Sequence, residues 1–150
     1  MKKEETVDFH IKTAWHAISR MYNQEAMQFD ITTSIGFVLL NINSVEGTPA
    51  TKIAPRMGLE SRSLTRMLKS MEEKELIYKI PDKTDKRSVR IYLTDMGKIK
   101  KEIARKTVKT FNFFIQEHID EDKLKVFFEV ISKINKLIDE NNIYNSPPKK

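Results

Sequence analysis

The apolar residues between positions 61 and 93 change their spacing once, and this change constrains the fold more than any other feature. From Leu64 to Met71 they recur at steps of three and four residues, which places them on one face of a helix. Residues 76–93 are instead rich in β-branched and aromatic side chains and are interrupted by the polar run 81–87. The sequence therefore predicts a helix followed by a two-stranded hairpin with a polar loop.

The segment before this helix predicts a helix-turn-helix unit. A helix over about 32–44 is followed by a short helix that begins at Pro49 and ends at Gly58, where a left-handed residue can close it. Two helices joined by a tight turn containing glycine are typical of this motif. Pro55 is an irregularity, because it removes one hydrogen bond of the short helix. The predicted capping residues are Thr32 or Thr33, Thr48, Ser61, Thr94 and Asp120.

Long amphipathic helices are predicted on both sides of this core, over about 6–29 and 94–142. The C-terminal pair carries more phenylalanine than a small winged core can cover, which favours pairing with a second copy of the chain. The alternative is that the pair packs within its own chain. Residues 143–150 are predicted to be a disordered tail.

Positive charge is concentrated in the middle of the chain. The formal net charge is +6, and residues 50–93 carry eleven basic against six acidic side chains. Segregated positive charge favours a surface that binds a polyanion, although an idle basic surface remains the alternative.

The predicted helix over 61–73 carries part of this charge on the face opposite Leu64. At 100° per residue, Arg62, Arg66 and Lys69 lie about 140–200° away from Leu64. A basic strip of this width fits a DNA major groove, and arginine can read guanine through two hydrogen bonds. The alternative is an ordinary solvated face.

The polar loop of the predicted hairpin forms a wing with its own basic residues. Lys83, Lys86 and Arg87 lie near the tip, and the Asp85 carboxylate is placed to hold Arg87. A narrow A·T-rich minor groove attracts an arginine of this kind.

These motifs resemble those of the MarR family of winged-helix transcription regulators. The resemblance is carried by Met-Gly-Leu-Glu-Ser-Arg-Ser-Leu-Thr-Arg-Met-Leu over 57–68 and by Asp-Lys-Arg-Ser-Val-Arg-Ile-Tyr-Leu-Thr over 85–94, with Gly97 completing the pattern. It extends over roughly 9–142, nearly the whole chain. It implies a mainly α fold with a small β wing, in one domain over 6–142 with a DNA-binding core at about 32–94 and dimerisation helices at about 6–29 and 94–142.

The resemblance also implies a function. Family members are homodimers that place a recognition helix in the major groove and a wing arginine in the minor groove of a pseudo-palindromic site, and many release DNA when a small effector binds. By position, the DNA-contact candidates here are Ser61, Arg62, Ser63, Thr65, Arg66, Asp85 and Arg87. Charge alone adds Lys69, Lys83, Lys86 and Arg90 as candidates for contacts to phosphate. The expected function is a sequence-specific regulator of transcription that binds double-stranded DNA, most simply a repressor.

Other classes of function are poorly supported. The chain has no cysteine, its four glycines are isolated, and its three histidines form no cluster with acidic residues. We therefore expect no enzyme, no cofactor and no metal site. No apolar stretch is long enough to span a membrane, and a cytoplasmic location is expected. The main alternative is a winged-helix module that binds an acidic protein. Trp15, His16, Met21 and Tyr22 could line an effector crevice, but core or dimer packing is the more common role for such residues, so ligand residues stay unassigned.

Overall fold

The computed structural model describes residues 1–145 and shows a mainly helical chain with a small antiparallel sheet. Residues 1–108 form one compact unit, and the chain from Lys109 forms a second. The elements, after a short 3-10 helix at Lys3–Glu5, are α1 (Val7–Met27), α2 (Thr33–Leu40), β1 (Thr48–Pro49), α3 (Ala50–Met57), α4 (Ser61–Glu73), β2 (Ile77–Pro81), β3 (Val89–Leu93), α5 (Asp95–His118) and α6 (Glu121–Glu140). The predicted fold class is confirmed. Of the predicted tail, 143–145 form a turn and 146–150 lie outside the described residues.

The core of the first unit is built by the helix-turn-helix and the sheet together. Fully buried side chains come from α2, α3, α4 and the two longer strands, among them Leu39, Ile53, Met71, Ile77 and Ile91. The three- and four-residue steps of α4 bring Leu64, Leu68 and Met71 into this core, as the spacing predicts.

The sheet has three strands in the order β1-β3-β2, all antiparallel. Strands β2 and β3 pair Tyr78 with Tyr92, which confirms the predicted hairpin. Strand β1 was not predicted from the sequence. Its two residues pair with β3, and Thr48 faces Ile91.

This extra strand shows that the predicted start of α3 was wrong. Helix α3 begins at Ala50, Pro49 occupies the N-cap, and no side chain caps the helix. The Thr48 hydroxyl instead accepts the N–H of Asn43 at 2.8 Å. Ser61 likewise is the first residue of α4 rather than its cap, because Glu60 occupies that position without a side-chain bond.

Helix α2 is shorter than predicted. Thr32, one of the two residues predicted to cap this helix, accepts the N–H of Ile35 at 3.2 Å. The helix ends at Leu40, and beyond it the Asn43 side chain accepts the N–H groups of Val45 and Glu46 and turns the chain.

The start of α5 is held tightly against the core. Thr94 accepts the N–H of Gly97 at 3.0 Å, which confirms its predicted capping role. A Cβ at Gly97 would overlap the Leu76 carbonyl oxygen, so only glycine fits there. Further along α5, the ammonium groups of Lys100 and Lys101 donate to the carbonyls of Phe29 and Ile42 and fasten α5 to the chain that flanks α2.

Helix α6 buries none of its side chains within the described chain. Its apolar residues are about half exposed, among them Phe127 at 55% and Phe128 at 56%. Asp120 is at the predicted N-cap, but its carboxylate pairs with Lys123 at 3.3 Å and makes no capping bond.

Candidate nucleic-acid interface

The outer face of α4 presents a strip of unpaired cations. Arg62, Arg66 and Lys69 are exposed on the side opposite the buried Leu64 and Leu68. Within residues 1–145 none of these three cations forms an ion pair. Their charge is therefore available to an external anion.

The turn before α4 sets the direction of this strip. Gly58 adopts the left-handed conformation at φ 64°, as predicted. The N–H of Leu59 donates to the Ala54 carbonyl at 3.0 Å and that of Gly58 to the Pro55 carbonyl at 3.2 Å. Both bonds use carbonyls that the end of α3 would otherwise leave unpaired, so the angle between α3 and α4 is well defined.

Small hydroxyl residues flank the cations on the first turns of α4. Ser61, Ser63 and Thr65 are all exposed. The Thr65 hydroxyl donates to the Ser61 carbonyl at 2.9 Å, so its oxygen can still accept a hydrogen bond from outside. Towards its C-terminal end α4 becomes acidic, and Glu72 pairs there with Lys79 at 3.9 Å. An anionic partner is consequently favoured at the N-terminal half of the helix.

The wing loop places three further cations on the surface. Lys83, Lys86 and Arg87 are exposed and form no ion pair in the described part of the chain. The Asp85 carboxylate accepts the backbone N–H of Arg87 at 3.0 Å, and the Asp85 carbonyl accepts the N–H of Ser88 at 3.0 Å. The carboxylate thus holds Arg87 through its backbone, and the guanidinium forms no ion pair within residues 1–145.

Arg90 lies in a different environment from the other cations. Its side chain is 31% exposed, and its Nη1 donates to the Glu46 carbonyl at 2.9 Å and more weakly to the Gly47 carbonyl at 3.4 Å. Its Nε lies 3.9 Å from the buried carboxylate of Asp82. The structure brings ten of the candidate DNA-contact residues to exposed positions on α4 and the wing loop, while Arg90 is engaged within the fold.

Two exposed cations of α3 were not assigned from the sequence. Lys52 and Arg56 lie four residues apart on α3 and make no ion pair within residues 1–145. Their spacing of four residues could have identified them from the sequence as neighbours on one face of a helix. They add to the positive charge of the helix-turn-helix.

A crevice in the first unit lies between α1, α2 and the first half of α5. Its lining residues are Tyr22, Ala26, Ile31, Thr32, Thr33, Gly36, Phe37, Leu40, Ile103, Ala104, Thr107 and Val108. Its volume is about 30 Å³, and most of its lining is apolar. Burial raises the pKa of the Tyr22 phenol in this crevice. Of the four α1 residues considered from the sequence, only Tyr22 lines it.

The described part of the chain supports neither a metal site nor a membrane-spanning helix. No group of three or more histidine, aspartate or glutamate side chains within residues 1–145 is placed to hold a metal ion. Among the helices described, none combines the length and the apolar character that crossing a membrane requires.

Comparison with known proteins agrees with this geometry. The model of the MarR family matches residues 31–89, from the start of α2 to the wing. The transcriptional regulator SarZ of Staphylococcus aureus (strain USA300) is 32% identical over 118 residues, which cover 77% of this chain and 80% of SarZ.

Solved structures share the fold at lower identity. A MarR/EmrR family transcriptional regulator from Acinetobacter sp. ADP1 is 21% identical, with a TM-score of 0.83 over 94% of this chain and 100% of that one. MepR of S. aureus, crystallised as a DNA complex, is 22% identical, with a TM-score of 0.80 over 87% of this chain and 97% of MepR. The chain belongs to the MarR family of winged-helix transcription regulators.

Proposed function

We propose that the chain is a homodimeric repressor that binds a pseudo-palindromic operator in double-stranded DNA. The observation that carries the proposal is the basic strip of α4, in which Arg62, Arg66 and Lys69 are exposed and unpaired while the opposite face is buried. The relative MepR, which shares the fold, was crystallised with DNA.

In this proposal the N-terminal half of α4 enters the major groove. Arg62 and Arg66 reach base edges or phosphates, and Ser61, Ser63 and Thr65 supply shorter hydrogen-bonding groups beside them. Lys69 lies further along the helix and is assigned to phosphate. The acidic end at Glu72 stays outside the groove, because phosphate repels carboxylates.

The wing loop contacts the neighbouring minor groove. Arg87 inserts its unpaired guanidinium where the groove is narrow, and the backbone bond from Asp85 fixes the residue from which it extends. Lys83 and Lys86 lie on either side and contact the phosphates that border the groove.

The proposed dimer is formed by the outer helices of two chains. Helix α6 exposes Val126, Phe127 and Val130 at 50% or more, and α5 exposes Phe113 and Phe114 to a similar degree. Apolar faces of this size seldom remain open to water in a folded protein. A second copy, related by a twofold axis, would cover each face with the equivalent face of its partner and would match the symmetry of a pseudo-palindrome.

The proposed effector is a small, largely apolar molecule that binds the crevice lined by Tyr22 and Phe37. The crevice volume of about 30 Å³ is far below the roughly 300 Å³ of an ordinary ligand pocket. A ligand must therefore widen it and displace α2 relative to α1 or α5. Since α2 packs on the helix-turn-helix core, this displacement would alter how α4 meets DNA.

The experiment is selection of bound duplexes from a random library with the unaltered protein, R66A and R87A. We expect an enriched pseudo-palindrome, weakened in its inner positions by R66A and in its A·T-rich flanks by R87A. Salt-sensitive binding without an enriched sequence would replace the proposal with a nonspecific DNA-binding role. No binding at low salt would favour the module that recognises an acidic protein.

A further inference from the structure

Arg90 joins two loops that are distant in the sequence. Its Nη1 donates to the Glu46 carbonyl at 2.9 Å and to the Gly47 carbonyl at 3.4 Å, at the turn that leads into β1 and α3. Its Nε lies 3.9 Å from the Asp82 carboxylate, at the start of the wing loop. The same guanidinium therefore contacts the entrance to the helix-turn-helix and the base of the wing.

The first of these loops is a fixed anchor. Asn43 accepts the N–H groups of Val45 and Glu46 through its side chain, at 2.8 and 2.9 Å, and that of Gly47 through its carbonyl at 3.1 Å. Gly47 has φ 67°, and a Cβ there would lie only 2.7 Å from the Ile91 carbonyl. The carbonyls that Arg90 contacts are thus held in place by the loop itself.

The second loop is organised by Asp82. Its carboxylate accepts both the backbone N–H of Thr84, at 3.0 Å, and the Thr84 hydroxyl, at 2.9 Å. The Asp82 N–H donates to the Ser88 carbonyl at 2.9 Å and closes the wing loop at its base. The hydrogen bonds from Thr84, and after them the charge of Arg90, lower the pKa of Asp82. Its carboxylate is therefore ionised at neutral pH and attracts the guanidinium.

We propose that Arg90 is a positioning residue that fixes the wing loop, and with it Arg87, relative to the helix-turn-helix. This inference rests on the proposed function for its DNA readout and replaces the phosphate contact expected from the charge of Arg90. The planar guanidinium presents several donors at set angles and can meet two loops at once. A lysine ammonium at the same position carries the same charge on a single nitrogen, without the planar fork whose Nη1 and Nε face the two loops.

Two substitutions separate positioning from a phosphate contact. R90K keeps the charge, so a phosphate contact predicts nearly unchanged binding, whereas positioning predicts weaker binding. D82N removes a negative charge close to the wing, so electrostatics alone predicts tighter binding to DNA, whereas positioning again predicts weaker binding. The comparison variant is K86Q, which removes one proposed phosphate contact without touching Arg90 or Asp82.

The first readout needs no DNA. We expect hydrogen–deuterium exchange of the segment 82–88 in the free protein to become about tenfold faster in R90K. The reason is that the charged guanidinium no longer donates to the Glu46 carbonyl and so no longer ties the wing to that loop. Exchange in this segment should be unchanged in K86Q. Thermal unfolding of each variant shows whether the core is intact. If R90K does not fold, the same measurements are made on D82N, because this variant leaves the bonds from Arg90 to Glu46 and Gly47 in place.

The second readout is binding to the selected duplex and to one with G·C pairs in the flanks that the wing contacts. In R90K and D82N we expect about tenfold weaker binding to the selected duplex and loss of the preference for A·T flanks. Adding R87A to R90K should weaken binding by less than about twofold, because the contact made by Arg87 is already lost. K86Q should retain the flank preference and lower the slope of log K against log salt by about 0.9.

Unchanged exchange and binding in R90K, or tighter binding in D82N, would overturn the inference. If the unaltered protein selects no duplex, the proposed function fails. Exchange alone then decides the role of Arg90: faster exchange in R90K supports it as the anchor of the wing loop, and unchanged exchange rejects it.

Discussion

Helices α4 and α6 are both amphipathic, but α4 buries its apolar face within residues 1–145 and α6 does not. Helix α4 buries Leu64, Leu68 and Met71 in the core of its own unit and turns charge outward. The 20 residues of α6 bury no side chain within the described chain, and Phe127 and Phe128 stay about half exposed. The same periodicity can therefore complete a core within one chain or leave an apolar face on its surface.

The largest expected effect comes from placing a charge on the open face of α6. F127E should raise the dissociation constant of the proposed dimer by about a hundredfold or more, because a carboxylate would replace a ring at an apolar contact. Sedimentation velocity at micromolar concentration measures this effect. The matched control is S132E on the same helix, which introduces the same carboxylate at an exposed position whose neighbours one turn away include Glu129 and Lys136. A single 17.6 kDa species in the unaltered protein would contradict the dimer.

The next effect tests how closely the first unit is packed. G97A should lower the free energy of unfolding by about 2–3 kcal/mol, because its Cβ would overlap the Leu76 carbonyl and force the start of α5 to move. Urea unfolding provides the measurement. The control is G36A, whose Cβ would meet Ala104 at an ordinary 3.6 Å and which should leave stability unchanged or raise it slightly. Equal stability of G97A and the unaltered protein would show that this contact is not restrictive.

The outward face of α4 is tested by R66A. Loss of a base contact should weaken binding to the selected duplex by about 10- to 100-fold, since a bidentate pair contributes roughly 1–3 kcal/mol of discrimination. Fluorescence anisotropy at fixed salt measures this change. R105A on α5 is the charge-matched control, because Arg105 pairs with Glu102 and lies outside the proposed interface. Equal losses in R66A and R105A would mean that net charge, not the face of α4, governs binding.

The smallest effect concerns pH and Asp82. Because the fold lowers the pKa of this carboxyl, chiefly through the Thr84 hydrogen bonds, its contribution to stability is complete above the unfolded pKa of about 3.9. That contribution is lost as the pH falls through the lower folded value. Urea unfolding between pH 6 and 3 should therefore show a steeper loss of stability in the unaltered protein than in D82N. Parallel curves would reject a lowered pKa at Asp82.

Much of the first unit could be predicted from the sequence, because its signals are local. The spacing of Leu64 and Met71, the glycine that closes α3, and the alternation of β3 each lie within a few residues. Strand β1 was missed because it exists only through pairing of its two residues with Ile91 and Arg90, far along the chain. The same pairing moved the start of α3 by one residue, since Thr48 is held in the sheet and cannot cap the helix.

The candidate site could be predicted where charge and helical position are enough. Arg62, Arg66 and Lys69 are as exposed as their angles on α4 indicate. Arg90 differs because its partners, Glu46 and Asp82, come together only in the folded sheet. The sequence shows that Arg90 is a cation, but the structure shows which groups that cation contacts.

The proposed dimer on DNA is tested by the mass of the complex formed with the selected duplex. Sedimentation equilibrium should give two 17.6 kDa chains on each duplex, and a duplex cut to one half-site should bind far more weakly. F127E should bind the full site no better than the half-site. A single chain bound to the full duplex with undiminished affinity would contradict the proposed dimer, because α4 and the wing would then bind DNA without a second chain.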